Sequence, residues 1–374
     1  MASPRYGWVE VDLGAIAQNV RTLKALTAPG TAFMAVVKAD GYGHGAIEPS
    51  RAALEAGAEW LGVATVDEAL EIRGAGIAGP LLIVSEPPAE AADVLVENDI
   101  TATVTTREFA STLSRSAMRA DRRVPYHLKV DTGMNRIGVR VADVPDIVNW
   151  LRDLPGLVLE GVMTHFATAD VPGDWEFSRQ VERFEDVIGA LRTERIRPRL
   201  AHAANSAATI LHPETHRDMV RCGIAIYGLH PGEATYGCVD LAPAMMVKGR
   251  VSLVKRIGLG EGVSYGLTWQ APAPTTVATV PIGYADGVHR VLSNRMPVLI
   301  GGRRCRQIGR VCMDQLMVEV PDGLDVRQGD EVVLVGRQGE ERIVMDELAT
   351  LAGTINYELA CGFALRLERR FARA

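Results

Sequence analysis

The sequence has no surplus of basic residues: lysine and arginine total 40 against 46 aspartates and glutamates, a net charge of -6. Without a basic field, nucleic acid and anionic membranes are poor partners, and small molecules are the better expectation. Cysteine is scarce. Cys222, Cys238, Cys305, Cys312 and Cys361 are odd in number and form no CxxC pair, so they suggest neither a disulfide framework nor a zinc knuckle and fit a reducing cytoplasm. No apolar run is long enough to span a bilayer, and MASPRYGWVEVDL at the N-terminus lacks an apolar signal core, so a cytoplasmic location is expected. No HxH motif or carboxylate cluster supports a metal-dependent hydrolase, and no metal is expected. Low-complexity tracts and long linkers are missing too. What remains is an ordinary globular composition, 47% hydrophobic and 23% charged over 374 residues, enough for a large core and two domains.

Extended apolar segments alternate with helix-compatible stretches, the signature of βαβ units and a parallel sheet. Eight strands are expected in the first part of the chain: AFMAVVK, WLGVAT, PLLIVSE, ITATVTT, PYHLKVD, LVLEGVMTH, RLAHAAN and MVRCGIAIYG. Helical stretches such as EPSRAALEAGA, VDEALEIRGAG, VADVPDIVNWLRDL and FSRQVERFEDVIGALRTER lie between them. Eight strand and helix pairs in about 200 residues point to a closed (β/α)8 barrel. Later in the chain the texture changes to strands on short turns, with few helical patterns until MDELATLAG and NYELACGF. The expected fold class is α/β plus β. Residues 1–12 form a strand packing with the second domain, 13–240 the barrel, and 241–374 a mostly β domain.

The chemistry of such a barrel sits at the C-terminal ends of its strands. Read in order, those ends carry Lys38, then Lys129 and Arg136 in KVDTGMNRIG, His165 in THFATAD, His202, Asn205 and Ser206 in HAANSAATI, and Arg221, Gly223 and Ile224 in RCGIAIYG. Any one of these alone is usually a solvated charge or an ion pair. Together they make one polar, strongly cationic mouth, with a hydroxyl and glycine-freed backbone N–H groups after strands seven and eight, where barrels often bind phosphate. A lysine facing a phosphate site suggests a Schiff-base cofactor of the pyridoxal phosphate kind, anchored on Lys38.

VVKADGYGHG, KVDTGMNRIG, HFATAD, ANSAATI, RCGIAIYG, GVSYGLTW, GYADG, GRVCMDQ and INYEL, in this order over essentially the whole chain, resemble the bacterial alanine racemases. The resemblance implies a pyridoxal-phosphate enzyme that interconverts L-alanine and D-alanine to supply peptidoglycan, working as a homodimer whose sites are completed across the interface. It implies that Lys38 holds the cofactor and is one catalytic base, and that Tyr265, from the other subunit, is the base on the opposite face. Two bases are needed because a proton leaves one face of Cα and another arrives on the other. Arg221 is implied to face the pyridine nitrogen, and His165 to link the tyrosine to that arginine. Arg136 is implied to contact the cofactor's phenolic oxygen and the substrate carboxylate, and Lys129 to orient Arg136, often as a carbamate. The resemblance places phosphate contacts at Tyr42, Ser206, Gly223, Ile224 and Tyr357, with Asn205 beside them and the second domain closing over the barrel mouth. It makes Tyr284 an entry residue, and Met313 and Asp314 an inner wall given by the partner chain; for Cys312 a place in the β-domain core is the preferred reading. Asn135 stands where many relatives have glycine, and it too tolerates positive φ. Two alternatives stay open: a broad-specificity amino-acid racemase, and a pyridoxal-phosphate decarboxylase on the same plan, against which the arginine of RCGIAIYG argues.

Overall fold

The computed structural model describes residues 5–373. The chain divides into two compact units. One comprises Ala15–Gly41 and Ala46–Ala242, the other Met1–Gly14, Tyr42–Gly45 and Pro243–Ala374. Strands are numbered along the chain from β1 (Gly7–Asp12), which belongs to the second unit.

The first unit is built on β2 (Ala32–Val36), β3 (Trp60–Val63), β4 (Leu81–Ile83), β5 (Thr101–Val104), β6 (Val124–Asp131), β7 (Val139–Arg140), β8 (Leu157–Met163), β9 (Leu200–His202) and β10 (Met219–Cys222). Its main sheet is parallel, in the order β10-β2-β3-β4-β5-β6-β8-β9, with the two-residue β7 set beside β6. All eight expected barrel strands are present. The circle is closed by bonds outside the ladders: Asp218 N–H donates to the Ala201 carbonyl at 3.1 Å and Arg221 N–H to Ala204 at 3.0 Å. These strands are short and almost wholly apolar because helices cover them on the outside. Phe33, Met34, Leu61, Leu81, Leu82 and Ile83 are fully buried, each stabilising by roughly 1.5–3 kcal/mol.

The helices start where the sequence supplies caps. Thr65 and Glu68 form a reciprocal capping box at Val66–Gly74, Thr106 accepts from Phe109 N–H at Arg107–Arg119, and Asp174 accepts from Glu176 and Phe177 N–H at Trp175–Thr193. The Arg107–Arg119 helix then buries Phe109, Leu113 and Ala117, spaced four apart on one face. The last barrel strand is shorter than expected. It ends at Cys222, and Ile224–Tyr227 form a tight 3₁₀ turn ended by the left-handed Gly228.

The second unit carries β11 (Met245–Arg250), β12 (Leu253–Ile257), the hairpin β13 (Gly262–Val263) and β14 (Trp269–Gln270), β15 (Thr275–Val280), β16 (Pro297–Ile300), β17 (Arg303–Ile308), β18 (Leu316–Val320), β19 (Glu331–Gln338), β20 (Glu341–Ile343) and β21 (Glu368–Ala372). Its large sheet runs β12-β15-β18-β17-β16-β19-β11-β1-β21. β1 enters it antiparallel to β11 and parallel to β21. The helices Met345–Ala352 and Asn356–Gly362 complete the unit.

One buried polar side chain fastens the barrel's first helix, Leu13–Lys24, to the end of the barrel sequence. The Asn19 amide donates to the carbonyls of Ile226 (3.1 Å) and Ala242 (2.8 Å), and its oxygen accepts from Ala242 N–H at 2.8 Å. Asn19 has no exposed surface, so removing it strands three backbone groups away from water. Asn19→Leu is expected to cost about 2–4 kcal/mol, measured as a lower midpoint of urea unfolding with an unchanged slope.

Candidate active site

β2 delivers Lys38 to the barrel mouth, and the backbone then turns left-handed. Ala39 (φ 54°, ψ 51°), Asp40 (51°, 51°), Gly41 (59°, 41°) and Tyr42 (φ 53°) follow one another in that conformation. Three of these four residues carry a Cβ. Each of those costs roughly 1–2 kcal/mol. Two bonds oppose the cost: Gly41 N–H donates to the Val37 carbonyl at 2.9 Å, and Ala39 N–H to Glu68 Oε1 at 2.7 Å. The other Glu68 oxygen accepts from Ala64 N–H (2.7 Å) and Thr65 N–H (3.2 Å). A single carboxylate therefore ties the lysine turn to the end of β3.

Cations converge on the same mouth. Lys129, at the buried end of β6, donates to the Val84 carbonyl at 3.3 Å. Burial, and then the charges of Arg221, Arg136 and Lys38, push its ammonium down from 10.5 to about 7, with Asp131 offsetting only part. The Asp131 carboxylate is occupied in shaping its own loop: Oδ1 accepts from Gly133 and Asn135 N–H, both at 3.0 Å. Asn135 adopts φ 55°, the conformation for which an asparagine can replace glycine.

Arg221, on β10, is buried and surrounded by acceptors. Nη1 donates to His202 Nδ1 at 3.1 Å; Nη2 donates to the carbonyls of Thr164 (2.7 Å) and Ala203 (3.0 Å) and reaches His165 Nδ1 at 3.3 Å. Burial lowers the guanidinium to about 10, so it stays charged at neutral pH. Burial and the charge of Arg221 together hold His165 and His202 well below the ordinary imidazole range. Both rings are neutral. Nη2 has two hydrogens for its three acceptors, so His165 receives at most a shared one; facing a cation that cannot accept, its Nδ1 keeps the lone pair and the ring carries its proton on Nε2.

After β9, Asn205 caps the short helix Ser206–Leu211 by accepting from Ala208 N–H at 3.0 Å, and donates to the Phe166 carbonyl at 3.3 Å. Ser206 Oγ accepts from Gly223 N–H at 3.0 Å. This revises the picture of a glycine amide left open. Gly223 N–H is already engaged; what the pair presents is the Ser206 hydroxyl proton.

The remaining candidates lie in the β unit. The Tyr42 and Tyr357 rings are 6.2 Å apart, and the Gly43 carbonyl accepts from Arg369 Nη2 at 3.1 Å. Tyr265 sits on a turn between β13 and β14 where Ser264 (φ 65°), Gly266 (φ 69°) and Leu267 (φ 44°) are left-handed. Three loops are laced together there. Ser264 Oγ donates to the Arg310 carbonyl at 2.6 Å, Tyr284 N–H to Cys312 at 3.0 Å and Ala285 N–H to Met313 at 3.0 Å. Gly283 permits this approach, since a Cβ on it would lie 2.3 Å from the Cys312 carbonyl oxygen. Asp286, fully buried, accepts from Gly283 N–H at 2.9 Å and pairs with Arg5 at 2.6 Å, while Arg366 holds Asp314 at 2.7 Å. Cys312 is not core. It is half-buried, with Sγ 3.2 Å from Ser264 Oγ. Tyr265 is 70% exposed and Met313 53%, so neither is core either.

Comparison with known proteins is decisive on kinship. Residues 11–231 match the family model of the alanine racemase N-terminal domain and 244–371 that of the C-terminal domain. The chain belongs to the alanine racemase family. It is 48% identical over 362 residues to the alanine racemase of Symbiobacterium thermophilum, covering 97% of this chain and 96% of the relative, and 44% identical over 362 residues to that of Desulfovibrio desulfuricans, covering 97% of each. The solved alanine racemase from Bacillus anthracis with bound L-Ala-P superposes with a TM-score of 0.94 at 38% identity, covering 100% of this chain and 96% of that one. The enzyme from the D-cycloserine producer Streptomyces lavendulae gives 0.93, also at 38%, covering 100% and 98%.

Within the barrel unit, then, the charges of Lys38, Lys129, Arg136 and Arg221 reach His165, and Ser206, next to the cap Asn205, bonds Gly223, which precedes Ile224; within the β unit Tyr265, Tyr284, Met313 and Asp314 lie on laced loops, and Tyr42 faces Tyr357. Sequence reasoning missed Glu68, His127 and Ser264. For Glu68 the signal was TVDE, a capping-box pattern, although its reach to Ala39 was not legible. For His127 it was the two-residue spacing from Lys129, which puts both on one face of β6.

The depressed Lys129 pKa has a thermodynamic consequence. A lysine that titrates near 7 when folded and near its ordinary 10.5 when unfolded binds fewer protons in the folded state over that interval. Its contribution to stability therefore rises with pH from about 7 to about 10.5, by up to roughly 1 kcal/mol per pH unit. In bicarbonate-free buffer without cofactor, Lys129→Met should flatten the gain in unfolding free energy that the natural protein shows between roughly pH 7 and pH 9. Equal slopes would show that the amine keeps an ordinary pKa.

Proposed function

We infer that this chain interconverts L-alanine and D-alanine with pyridoxal phosphate, through two opposed proton carriers. The observation that carries the reading is a lysine held on a strained turn whose charge, together with that of a buried arginine still charged at neutral pH, acts on Lys129 and His165, in a chain of the alanine racemase family. The cofactor fits the donor set. The charges of Arg221, Arg136 and Lys38 all act on Lys129 and outweigh that of Asp131 there, and an anionic, phosphate-bearing aldehyde would relieve that excess while offering a carbonyl to an amine.

Lys38 would hold the cofactor covalently. Ser206, Gly223 and Ile224 would face the phosphate, with Asn205 beside them, and the family resemblance adds Tyr42 and Tyr357 as phosphate contacts. When bound, pyridoxal phosphate supplies an electron sink for the pair left behind when the alanine Cα proton departs. Arg221, which holds its own protons to about pH 10, would present N–H to the ring nitrogen without protonating it, keeping that sink weak and favouring return of a proton to Cα. Decarboxylases on this plan are expected to use a carboxylate there instead. The Lys38 amine carries the proton on one face of Cα. On the other face the Tyr265 hydroxyl does so, its phenolate stabilised by the Nε2–H that His165 is obliged to carry. Arg136 would bind the substrate carboxylate. Met313 would limit the side chain to methyl size, with Tyr284 and Asp314 at the entry.

Tyr265 and Met313 would come from a second copy of the chain. Large exposed side chains on one rigid set of loops support this. Lys129, partly neutral near pH 7, would add carbon dioxide to form a carbamate and release a proton, placing an anion beside Arg136; incorporation of ¹³C-labelled bicarbonate checks it. The activity would supply D-alanine for peptidoglycan from the cytoplasm. Among the described residues no helix is long and apolar enough to cross a membrane.

The reading is tested on the purified holoprotein with a panel of amino acids and chiral product analysis. Alanine should interconvert without carbon dioxide release. Borohydride should fix the cofactor to Lys38, and Tyr265→Phe should retain it while losing at least about 100-fold in turnover, the scale of a lost acid–base group. Carbon dioxide release would point to a decarboxylase. Equal turnover of larger side chains would point to a broad-specificity racemase.

A further inference from the structure

Arg221 is not the end of its hydrogen-bonded chain. His202 Nε2 lies 2.8 Å from His127 Nδ1; beyond that bond His127 Nε2, which makes no hydrogen bond of ordinary geometry, stands at ion-pair distance, 3.5 Å, from Glu160 Oε2. Glu160 Oε1 in turn meets Arg199 Nη2 at 2.7 Å, just before β9 begins. The chain thus runs from the N-terminal rim of the barrel, through its interior, to the mouth.

Its direction follows from which atoms can carry hydrogen. Arg221 only donates, so His202 accepts at Nδ1 and keeps its proton on Nε2. That N–H points at His127 Nδ1, which must accept, so the His127 proton sits on Nε2, toward the carboxylate. The negative charge of Glu160 at 3.5 Å favours the same answer, because it attracts an N–H and repels a lone pair. The reverse order would set an N–H of His202 against an N–H of Arg221 and aim a bare imidazole lone pair at Glu160. Both rings have no exposed surface, so water cannot relieve either mismatch. Burial keeps His127 and His202 neutral, which leaves the tautomer as the only freedom.

The backbone is shaped for this chain. Between β6 and β8, Tyr126 pairs with Leu159 and His127 with Gly161, so Glu160 is one extra residue in the ladder. A bulge of this kind re-aims a side chain. Gly161 gives the His127 ring its place: a Cβ there would lie 2.6 Å from Nδ1. Trp60 packs on the same ring at 5.4 Å between centroids.

We infer that Glu160 and His127 are positioning residues for Arg221: the carboxylate fixes His127 in the Nε2–H form, His127 takes the proton of His202, and His202 Nδ1 is thereby held as a strong, correctly aimed acceptor for the guanidinium. The assignment of catalytic consequence rests on the reading of Arg221 as the group at the cofactor ring nitrogen; the tautomer assignment does not.

The test uses the full-length holoprotein with ¹⁵N-labelled histidine, read by long-range proton–nitrogen correlation, together with alanine racemisation kinetics. In the natural protein His127 and His202 should each show a protonated Nε2 and a bare Nδ1. Glu160→Leu, at a partly exposed position, should turn the single His127 form into a mixture and lower kcat about tenfold at nearly constant KM, the size typical when a group behind a functional side chain is lost. His127→Phe should lower kcat at least as much. A protonated Nδ1 or a doubly protonated ring in the natural protein overturns the proposal. So does a Glu160→Leu protein in which either the nitrogen pattern or kcat stays unchanged, since the two must move together. Should His127→Phe fail to fold, Glu160→Leu alone decides. A natural protein that does not racemise alanine would defeat the functional reading while leaving the nitrogen pattern to decide the tautomers.

Discussion

A guanidinium buried inside a protein has five donors and no means of accepting, and much of the barrel mouth is organised by that fact. Arg221 obliges its neighbours to accept: the Thr164 and Ala203 carbonyls, and the Nδ1 atoms of His165 and His202. Two imidazoles that could have been bases, acids or metal ligands are thereby reduced to neutral rings of known tautomer. The same charge, added to burial, brings the Lys129 amine close to neutrality. A carboxylate in this position would instead have asked the same two rings to donate.

The second organising feature is backbone strain. Left-handed residues with side chains occur on both turns that carry the proposed proton carriers, Ala39, Asp40 and Tyr42 after Lys38, and Ser264 and Leu267 around Tyr265. Such strain persists only where the surroundings over-determine it. Glu68 does so for the first turn by accepting from three backbone amides, and Ser264 for the second by anchoring on Arg310. Rigid turns suit a reaction in which a proton must be exchanged at a fixed carbon, because small displacements of the carrier are costly in rate.

The eight barrel strands were legible because βα units alternate apolar runs with amphipathic helices, and each strand is buried on both faces. The residues at the strand ends were legible for a related reason: a lysine or arginine at the end of an apolar run has no packing role to explain it. Less was legible where one residue type supports two outcomes. Cys312 could have been core or loop, and only the three-loop contact made it loop. MVRCGIAIYG reads as a long strand, but the tight Ile224–Tyr227 turn interrupts it. The left-handed path after Lys38 takes in Ala39, Asp40 and Tyr42 as well as Gly41, which residue types that ordinarily avoid that conformation did not signal.

The sequence by itself determined the inventory and the periods: which side chains can donate, accept or ionise, and which face of each strand they share. His127 and Lys129 lie on one face of β6 whatever the rest of the chain does, since side chains alternate along a strand. Direction and state were decided by tertiary structure. Whether an imidazole donates or accepts depends on what lies 3 Å from each nitrogen, and those atoms come from residues as distant as Glu160 and Arg221. Whether Lys129 is charged depends on how many other cations fold into its reach, and whether Glu160 meets His127 depends on a one-residue bulge in the β6–β8 register. Coulomb energies and hydrogen bonds act over a few ångströms through space, and only the fold sets those distances.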